Sequence, residues 1–414
     1  MKLIQKDNID IILQNTKNTP RMAVCTYFSI DEPEKYAGIY TLFSKLLLKG
    51  TKTRSAEDLA NIIESNGIET SVKCKQDYIK VSTLFLNEDF DLALEILADI
   101  LQNSTFDNFE KEVFKLKGEI VSDLDSPQIK ASDALVDRIY ANHYYGNSLV
   151  KTLNDVDKIQ KQDVVDVLAQ IMNSKKVISI AGDFSDEEKI VNYFTQKFDF
   201  MKNSGDYGVS KIPNLLSFDS AGKKDEIIKI VKNDAKQAQI FKGLIVDTQF
   251  GQDYPKIVVM NNILGSSGLS SRLFVELRDK QGLAYTVRSS LEPLRHSSLF
   301  YYYIGTEPKN IQKSLEGFIV ETKKMAENLV SDVELNGAKE NILGRLEYFS
   351  QTNMQLASIA GYDYIMGLGL DYEEKYREKL SLVTKEDVSK AAEKYLLNPA
   401  VISILAPEEY LKNI

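Results

Sequence analysis

Histidine is nearly absent from this chain of 414 residues, which contains only His143 and His296. The two residues lie in opposite halves of the sequence. Protein zinc sites take their ligands from histidine, cysteine and carboxylate side chains, so this count excludes a histidine-rich zinc site whatever the fold. We interpret both histidines as ordinary surface or loop residues.

Cysteine, long apolar runs and excess positive charge are also lacking. Cys25 and Cys74 are too few for a disulfide framework, and such a count is typical of a reducing compartment. No apolar run is long enough to span a membrane, and the first residues lack the unbroken apolar stretch of a secretory signal. We therefore expect a cytoplasmic protein, although a chain whose leader had been removed would look the same. The net charge of −9 argues against nucleic acid or an anionic membrane as a partner, because both bind basic patches.

The overall composition is that of a soluble globular protein, and the sequence contains an internal repeat. Its length predicts two or more domains. The segment Val177–Ile180 (VISI) recurs 224 residues later as Val401–Ile404, and each copy follows an amphipathic helix. Earlier in each half the offset is 215, where Gly67 pairs with Gly282. Because glycines, helices and strands recur in the same order, an internal duplication is indicated.

Each half has an α+β pattern. In the first half we predict strands at about 8–14 and 22–30, helices at about 35–48 and 55–65, a strand pair over SVKCKQDYIKVSTLFL, a helical block, and a strand at 176–182. Ser55 is the predicted N-cap of the second helix. The predicted fold is two homologous domains, each an antiparallel-rich β-sheet with helices packed on one side of it. The predicted boundaries are 1–200 for the N-terminal domain, 201–225 for a linker rich in glycine, serine, asparagine and proline, and 226–414 for the C-terminal domain.

The segment from Gly265 to Tyr285 (GSSGLSSRLFVELRDKQGLAY) is the richest in candidate functional residues. A Gly-Ser-Ser-Gly loop at 265–268 precedes a helix that ends at Gly282, and a strand follows. Arg278 lies in the last helical turn and Tyr285 at the start of the strand, so the tight reversal brings the two side chains together. The alternative is a solvated arginine favoured by the helix C-terminus and a half-buried strand tyrosine. The loop lacks the Gly-Lys-Ser/Thr ending of a phosphate-binding loop.

Two segments resemble the pitrilysin/insulinase family of zinc peptidases. Residues 38–51 (GIYTLFSKLLLKGT) match the family's zinc-binding helix in their flanks, and RDKQGLAY at 278–285 resembles the family segment in which an arginine and a tyrosine lie seven residues apart and the segment ends in G-L-A-Y. The family motif H-x-x-E-H falls on Thr41, Ser44 and Lys45, so both imidazoles and the catalytic carboxylate are missing. The family's third ligand corresponds best to Glu119, which is either a relic of the metal site or a helix-surface residue beside Lys117.

This resemblance implies a metallopeptidase fold that binds no metal of its own. In the family, the Arg/Tyr pair faces a zinc site in the other half or on a partner, where tyrosine stabilises the oxyanion and arginine holds the substrate. The loop of Gly265, Ser266, Ser267 and Gly268 would border the substrate cavity.

The chain looks most like the bacterial relatives of the mitochondrial processing peptidase. The resemblance implies a non-zinc subunit that closes with a zinc-bearing H-x-x-E-H partner around an unfolded peptide like a clamshell. A homodimer, a scaffolding protein and a peptide-binding protein without catalysis remain alternatives. An oxyanion contact of this kind is typically worth about 10²–10³ in rate.

Overall fold

The chain forms two compact units that do not follow its linear order. A computed structural model describes residues 1–17, 19–205, 210–215, 224–412 and 414. The first unit comprises Met1–Glu119, Lys151–Lys211 and Leu346–Tyr372. The second unit comprises Ile120–Val150, Ile212–Arg345 and Glu373–Ile414.

The first unit is built on a mixed, mainly antiparallel sheet of six strands. The strands are β1 (Lys2–Lys6), β2 (Ile9–Asn15), β3 (Arg21–Ser29), β4 (Glu69–Cys74), β5 (Tyr78–Leu86) and β6 (Lys176–Gly182). Their spatial order is β1-β2-β6-β3-β5-β4, and only the β2–β6 pair is parallel. The sequence did not predict β1, a largely exposed edge strand with little apolar alternation.

The second unit repeats this topology with five strands. They are β7 (Glu226–Val231), β8 (Ala238–Val246), β9 (Ala284–Pro293), β10 (Ser298–Thr306) and β11 (Val401–Ala406). The order β7-β11-β8-β10-β9 again contains a single parallel pair, β7–β11. The two VISI segments occupy equivalent interior strands, β6 and β11. The predicted α+β class with a repeated, antiparallel-rich sheet is thereby confirmed.

Fifteen α-helices connect and cover the sheets in the described residues. They are α1 (Ile39–Leu46), α2 (Ala56–Ser65), α3 (Phe90–Asn103), α4 (Phe109–Asp125), α5 (Pro127–Ile139), α6 (Leu149–Asp155), α7 (Lys161–Asn173), α8 (Glu187–Lys197), α9 (Tyr254–Asn261), α10 (Ile311–Glu327), α11 (Asp332–Tyr348), α12 (Asn353–Met366), α13 (Tyr372–Leu382), α14 (Lys385–Ala391) and α15 (Glu408–Leu411). Ser55 caps α2 as predicted, in a reciprocal capping box with Asp58. No described helix combines the length and the apolar character needed to cross a lipid bilayer.

Helices cover both faces of each sheet, so the expectation of helices on one side only is wrong. The central strands β3 and β8 are buried along nearly their whole length, which requires cover on both faces. In the first unit α12 packs on β3 and β6, although it lies far along the chain. In the second unit α5 packs on β8 and β11. Each sheet is therefore covered partly by a helix from the other half of the sequence.

The predicted linker falls partly outside the described residues, which exclude 206–209 and 216–223. The boundaries 1–200, 201–225 and 226–414 stay a prediction about which segments are homologous. Both histidines contact the described part of this region, in the second unit. The His143 ring lies 2.7 Å from the Pro213 carbonyl oxygen, and the buried His296 ring lies 2.9 Å from the Asn214 side-chain oxygen. His296 is thus a loop residue, as expected, but not a surface one.

Candidate functional site

Helix α1 places the positions that we predict to be a degenerate metal site on its polar face. Its buried face is apolar and consists of Ile39, Tyr40, Leu42, Phe43 and Leu46. Thr41, Ser44 and Lys45 share the opposite face, because residues three and four apart are neighbours on a helix. The Ser44 hydroxyl donates to the Thr41 carbonyl oxygen at 2.8 Å, within the helix itself. The geometry of a two-residue ligand pair is retained at 41 and 45 without the side chains that bind metal.

Lys45 forms an ion pair with Glu119 of α4. The Lys45 Nζ and Glu119 Oε2 atoms are 2.6 Å apart, and the two side chains are 27% and 53% exposed. The structure therefore brings together the residue at the second histidine position and the residue proposed at the third ligand position. Lys117 pairs instead with Asp157 at 2.7 Å, so Glu119 does not depend on its neighbour for a counter-charge.

The residues at this place do not fit zinc. A catalytic zinc site needs three protein ligands from histidine, cysteine or carboxylate. Here a single carboxylate is available, and an ammonium group already binds it. Across the described part of the chain, no group of three or more histidine, cysteine, aspartate and glutamate residues could hold a metal ion. We derive no reaction step through a metal bound to this chain.

Arg278 and Tyr285 are in direct contact in the second unit. The Arg278 Nη1 atom donates to the Tyr285 carbonyl oxygen at 2.9 Å. The guanidinium carbon lies 4.7 Å from the centre of the Tyr285 ring and 4.4 Å from that of Phe274. The guanidinium group is therefore in cation–π contact with two aromatic rings. The sequence analysis did not identify Phe274, although its position four residues before Arg278 places both on one helix face.

The turn between Arg278 and Tyr285 is fixed by the backbone. Residues Phe274–Asp279 form a wide, π-type helical turn. Gly282 has a φ of 63°, a left-handed conformation that glycine adopts without strain, and its N–H donates to the Arg278 carbonyl oxygen at 2.9 Å. The Leu283 N–H likewise donates to the Leu277 carbonyl oxygen at 2.9 Å. The chain then enters β9, the edge strand of the second sheet, where Tyr285 is 78% exposed.

The Gly265–Gly268 segment packs against β9 and borders a small cavity. Its first two residues end a π-helical turn over Asn262–Ser266, so the predicted loop begins only at Ser267. A side chain at Gly265 would collide with the backbone nitrogen and hydroxyl of Ser289, so the close approach requires glycine. Arg345 of α11 donates to the Ser266 carbonyl oxygen at 3.0 Å. Ser267 lines a cavity of about 290 Å³ between this loop and α11. The four loop residues and the Arg278–Tyr285 pair all lie in the second unit.

Two family profiles match most of the sequence. Residues 11–157 match the profile described as insulinase (peptidase family M16), and residues 158–342 match the one described as peptidase M16 inactive domain. Among similar proteins, an uncharacterized zinc protease YmxG of Bacillus subtilis is 25% identical over 426 residues, which cover 97% of each chain. A non-peptidase homolog YmxG of Helicobacter pylori is 26% identical over 362 residues, which cover 85% of this chain and 80% of that protein.

Solved structures share the fold over nearly the whole chain. The crystal structure of a peptidase M16 inactive domain from Pseudomonas fluorescens has a TM-score of 0.85 at 20% identity and covers 98% of both chains. The crystal structure of a protease from Helicobacter pylori has a TM-score of 0.86 at 17% identity and covers 98% of this chain and 99% of that one. At these identities the similarity bears on the fold alone.

Proposed function

The chain belongs to the insulinase family of peptidases (family M16), and from that premise we propose that it is the zinc-free subunit of a two-chain peptidase. In this proposal it presents Arg278 and Tyr285 to a zinc site on a homologous partner that carries H-x-x-E-H. The observation that carries the proposal is the contrast between the two sites. The α1 position has lost every metal ligand, whereas the Arg278–Tyr285 pair is held in a defined geometry at an exposed edge.

Tyr285 supplies the oxyanion donor. When water attacks a peptide carbonyl, negative charge develops on the oxygen, and a fixed hydroxyl donor stabilises that charge most strongly where water is excluded. The Tyr285 side chain is 78% exposed in the chain alone, so it reaches such an environment only when a partner and a peptide cover it. This requirement explains why the chain is expected to be inactive by itself.

Arg278 anchors the substrate backbone and holds Tyr285 in place. One guanidinium N–H is used by the Tyr285 carbonyl oxygen, and guanidinium carries further donors on its other nitrogen atoms. The contacts with Phe274 and Tyr285 restrict the arginine side chain before a peptide arrives. A donor that is ordered in advance loses less conformational entropy on binding.

A scaffolding or peptide-binding role without catalysis is the second candidate. It is favoured by the same contacts, because an arginine that contacts two rings and a carbonyl oxygen also fixes the helix–strand turn. The two functions differ in their chemistry. A scaffold requires the Arg278 contacts but not the Tyr285 hydroxyl, whereas the peptidase subunit requires both.

The test mixes the purified chain with a homologue that carries H-x-x-E-H and measures cleavage of an unstructured peptide. We expect no cleavage by this chain alone and cleavage by the mixture. Tyr285→Phe should lower kcat about 10²–10³-fold with assembly unchanged, whereas Tyr410→Phe, the same change at another exposed tyrosine of the second unit, should not. Assembly without cleavage by the wild-type mixture would favour the scaffold. Full activity of Tyr285→Phe and Arg278→Ala would show that the site assignment is wrong.

A further inference from the structure

A second cavity in the second unit has the chemistry of an anion site. Its volume is about 310 Å³, and it lies between α5, the start of α6, and strands β8, β9 and β10. Phe241 and Tyr301 contribute aromatic surface, with ring centres 5.8 Å apart. Among the described residues that line it, Arg288 of β9 alone is cationic. Apolar and aromatic surface combined with placed polar groups is typical of small ligand sites.

Arg288 is held by an aromatic ring rather than by a carboxylate. Its guanidinium carbon lies 5.2 Å from the centre of the Tyr303 ring, directly across the β9–β10 pair. Within the described part of the chain Arg288 makes no ion pair, and its side chain is exposed. A guanidinium stacked on a ring keeps its in-plane N–H donors free for a planar, bidentate partner such as a carboxylate.

Of the lining residues that the structure describes, Asp133 alone is acidic, and its carboxylate is already hydrogen-bonded. Asp133 accepts a hydrogen bond from the Leu149 N–H at 2.6 Å and from the Val150 N–H at 3.3 Å. These are the first backbone N–H groups of α6, where a carboxylate is favoured by the helix dipole. The Asp133 carboxylate is thus bound by the backbone of α6 and does not pair with Arg288. The positive charge of Arg288 is therefore available to a ligand.

We infer that this cavity binds a carboxylate that is joined to an apolar or aromatic group, as in an acidic peptide. Its role as a substrate subsite rests on the proposed function. Arg288 and Tyr285 lie three residues apart on β9, a separation of about 10 Å in a strand. The β9–β10 pairing is irregular at Tyr285, but both residues belong to the edge strand β9, so an extended peptide that runs along β9 passes both of them. A peptide that reaches Tyr285 therefore also reaches Arg288. The carboxylate comes from an aspartate or glutamate side chain or from the peptide's C-terminus.

Binding to this chain alone tests the inference without any catalysis. The probes are three fluorescently labelled, unstructured peptides that contain a phenylalanine. The first has an adjacent internal glutamate and an amidated C-terminus, the second replaces that glutamate with glutamine, and the third is the glutamine peptide with a free C-terminal carboxylate. Measured by fluorescence anisotropy, the first or the third peptide should bind about tenfold more tightly than the second, and which of the two does so identifies the source of the carboxylate. Such a ratio corresponds to about 1.4 kcal/mol.

Two substitutions of Arg288 separate charge from stacking. Arg288→Met should abolish the preference for the carboxylate peptide while the glutamine peptide binds as before, and Arg288→Lys should keep part of it. Lys309→Met removes an exposed positive charge elsewhere in the second unit and should change nothing. Equal binding of all three peptides by the wild-type chain, or a preference that survives Arg288→Met, would overturn the inference.

The cleavage assay distinguishes this inference from the proposed function. In the two-chain mixture, Arg288→Met should raise KM for the carboxylate peptide and leave kcat unchanged, because Arg288 does not contact the reacting carbonyl. Carboxylate binding without cleavage by any mixture would support the cavity and refute the peptidase role. Cleavage without a carboxylate preference would support the peptidase role and refute the inference about the cavity.

Discussion

Gly361 of α12 tests the packing that joins one half of the sequence to the sheet of the other half. A β-carbon at this position would lie 2.5 Å from Cε2 and 2.6 Å from Cδ2 of Tyr27, and 3.2 Å from the β-carbon of Ser179. Tyr27 is only 2% exposed, and its hydroxyl donates to the Ser358 carbonyl oxygen at 2.8 Å. Its ring also lies 5.3 Å from that of Tyr78. The ring is thus held from several sides and cannot move away without losing contacts.

Two effects of opposite sign set the magnitude for Gly361→Ala. Alanine stabilises a helix interior by about 1 kcal/mol relative to glycine. Overpacking of a tight core typically costs about 1–3 kcal/mol, and distances below 3.0 Å mean that helix and sheet must separate. We expect a net loss of about 1 kcal/mol in the free energy of unfolding. For a unit of this size, that loss corresponds to a fall in Tm of about 2–4 °C.

Gly118→Ala is the matched control, since it makes the same change within a helix of the same unit. Gly118 lies in α4, and a β-carbon there would have no neighbour within 4 Å. The control should stabilise by about 1 kcal/mol, so the two variants should differ by about 2 kcal/mol. Thermal unfolding followed by circular dichroism measures both. If Gly361→Ala raised the Tm as much as Gly118→Ala, α12 would not pack on β3 as described.

Two further predictions concern a metal site and a buried charge. Replacing Thr41 and Lys45 by histidine and Ser44 by glutamate should let α1 bind zinc together with Glu119. Micromolar zinc should then raise the Tm of the variant but not that of the wild type. An unchanged Tm of the variant would contradict the placement of α1 beside α4. Burial lowers the pKa of Lys176 to about 8, below its value in the unfolded chain, so the folded state releases this proton first as the pH rises. Relative to Lys176→Met, the wild type should gain up to about 3 kcal/mol in unfolding free energy between about pH 8 and pH 10.5. Urea titrations at pH 7 and pH 10 measure this gain, and a difference that does not change with pH would contradict it.

Local patterns predicted the elements of the fold, but they did not predict which helix covers which sheet. The period-two alternation of β5 and the Ser55 capping signal are properties of neighbouring residues, and both were predicted. The exchange of α5 and α12 has no local signal, because a helix with an apolar face packs equally well on any sheet of matching shape. Which helix covers which sheet depends on the fit between side chains that lie far apart in the sequence. In the first unit the small residue is Gly361 of the helix, whereas in the second it is Gly243 of β8, which faces Leu135 of α5.

The two parts of the candidate site also differ in whether neighbouring residues in the sequence predict their contacts. The contact between Arg278 and Tyr285 follows from a helix, a glycine and a strand within eight residues, so sequence reasoning reached it. The ion pair between Lys45 and Glu119 joins residues separated by 74 positions. The sequence supported Glu119 only through family resemblance, and only the contact that Lys45 of α1 makes with Glu119 of α4 in the structure shows what the carboxylate binds.

The ion pair between Lys45 and Glu119 stands where the family resemblance implies a zinc site. Without metal ligands Glu119 would lack a partner, but Lys45 places a positive charge 2.6 Å from it, which would repel a metal ion. The ion pair thus gives the Glu119 carboxylate a counter-charge without a metal ion. Tyr285, by contrast, is 78% exposed, so its ring contributes little to any core. An exposed tyrosine in a geometry fixed by Arg278 and Gly282 is suited to contact a second molecule, and this contrast between the two units supports our proposal of a partner subunit.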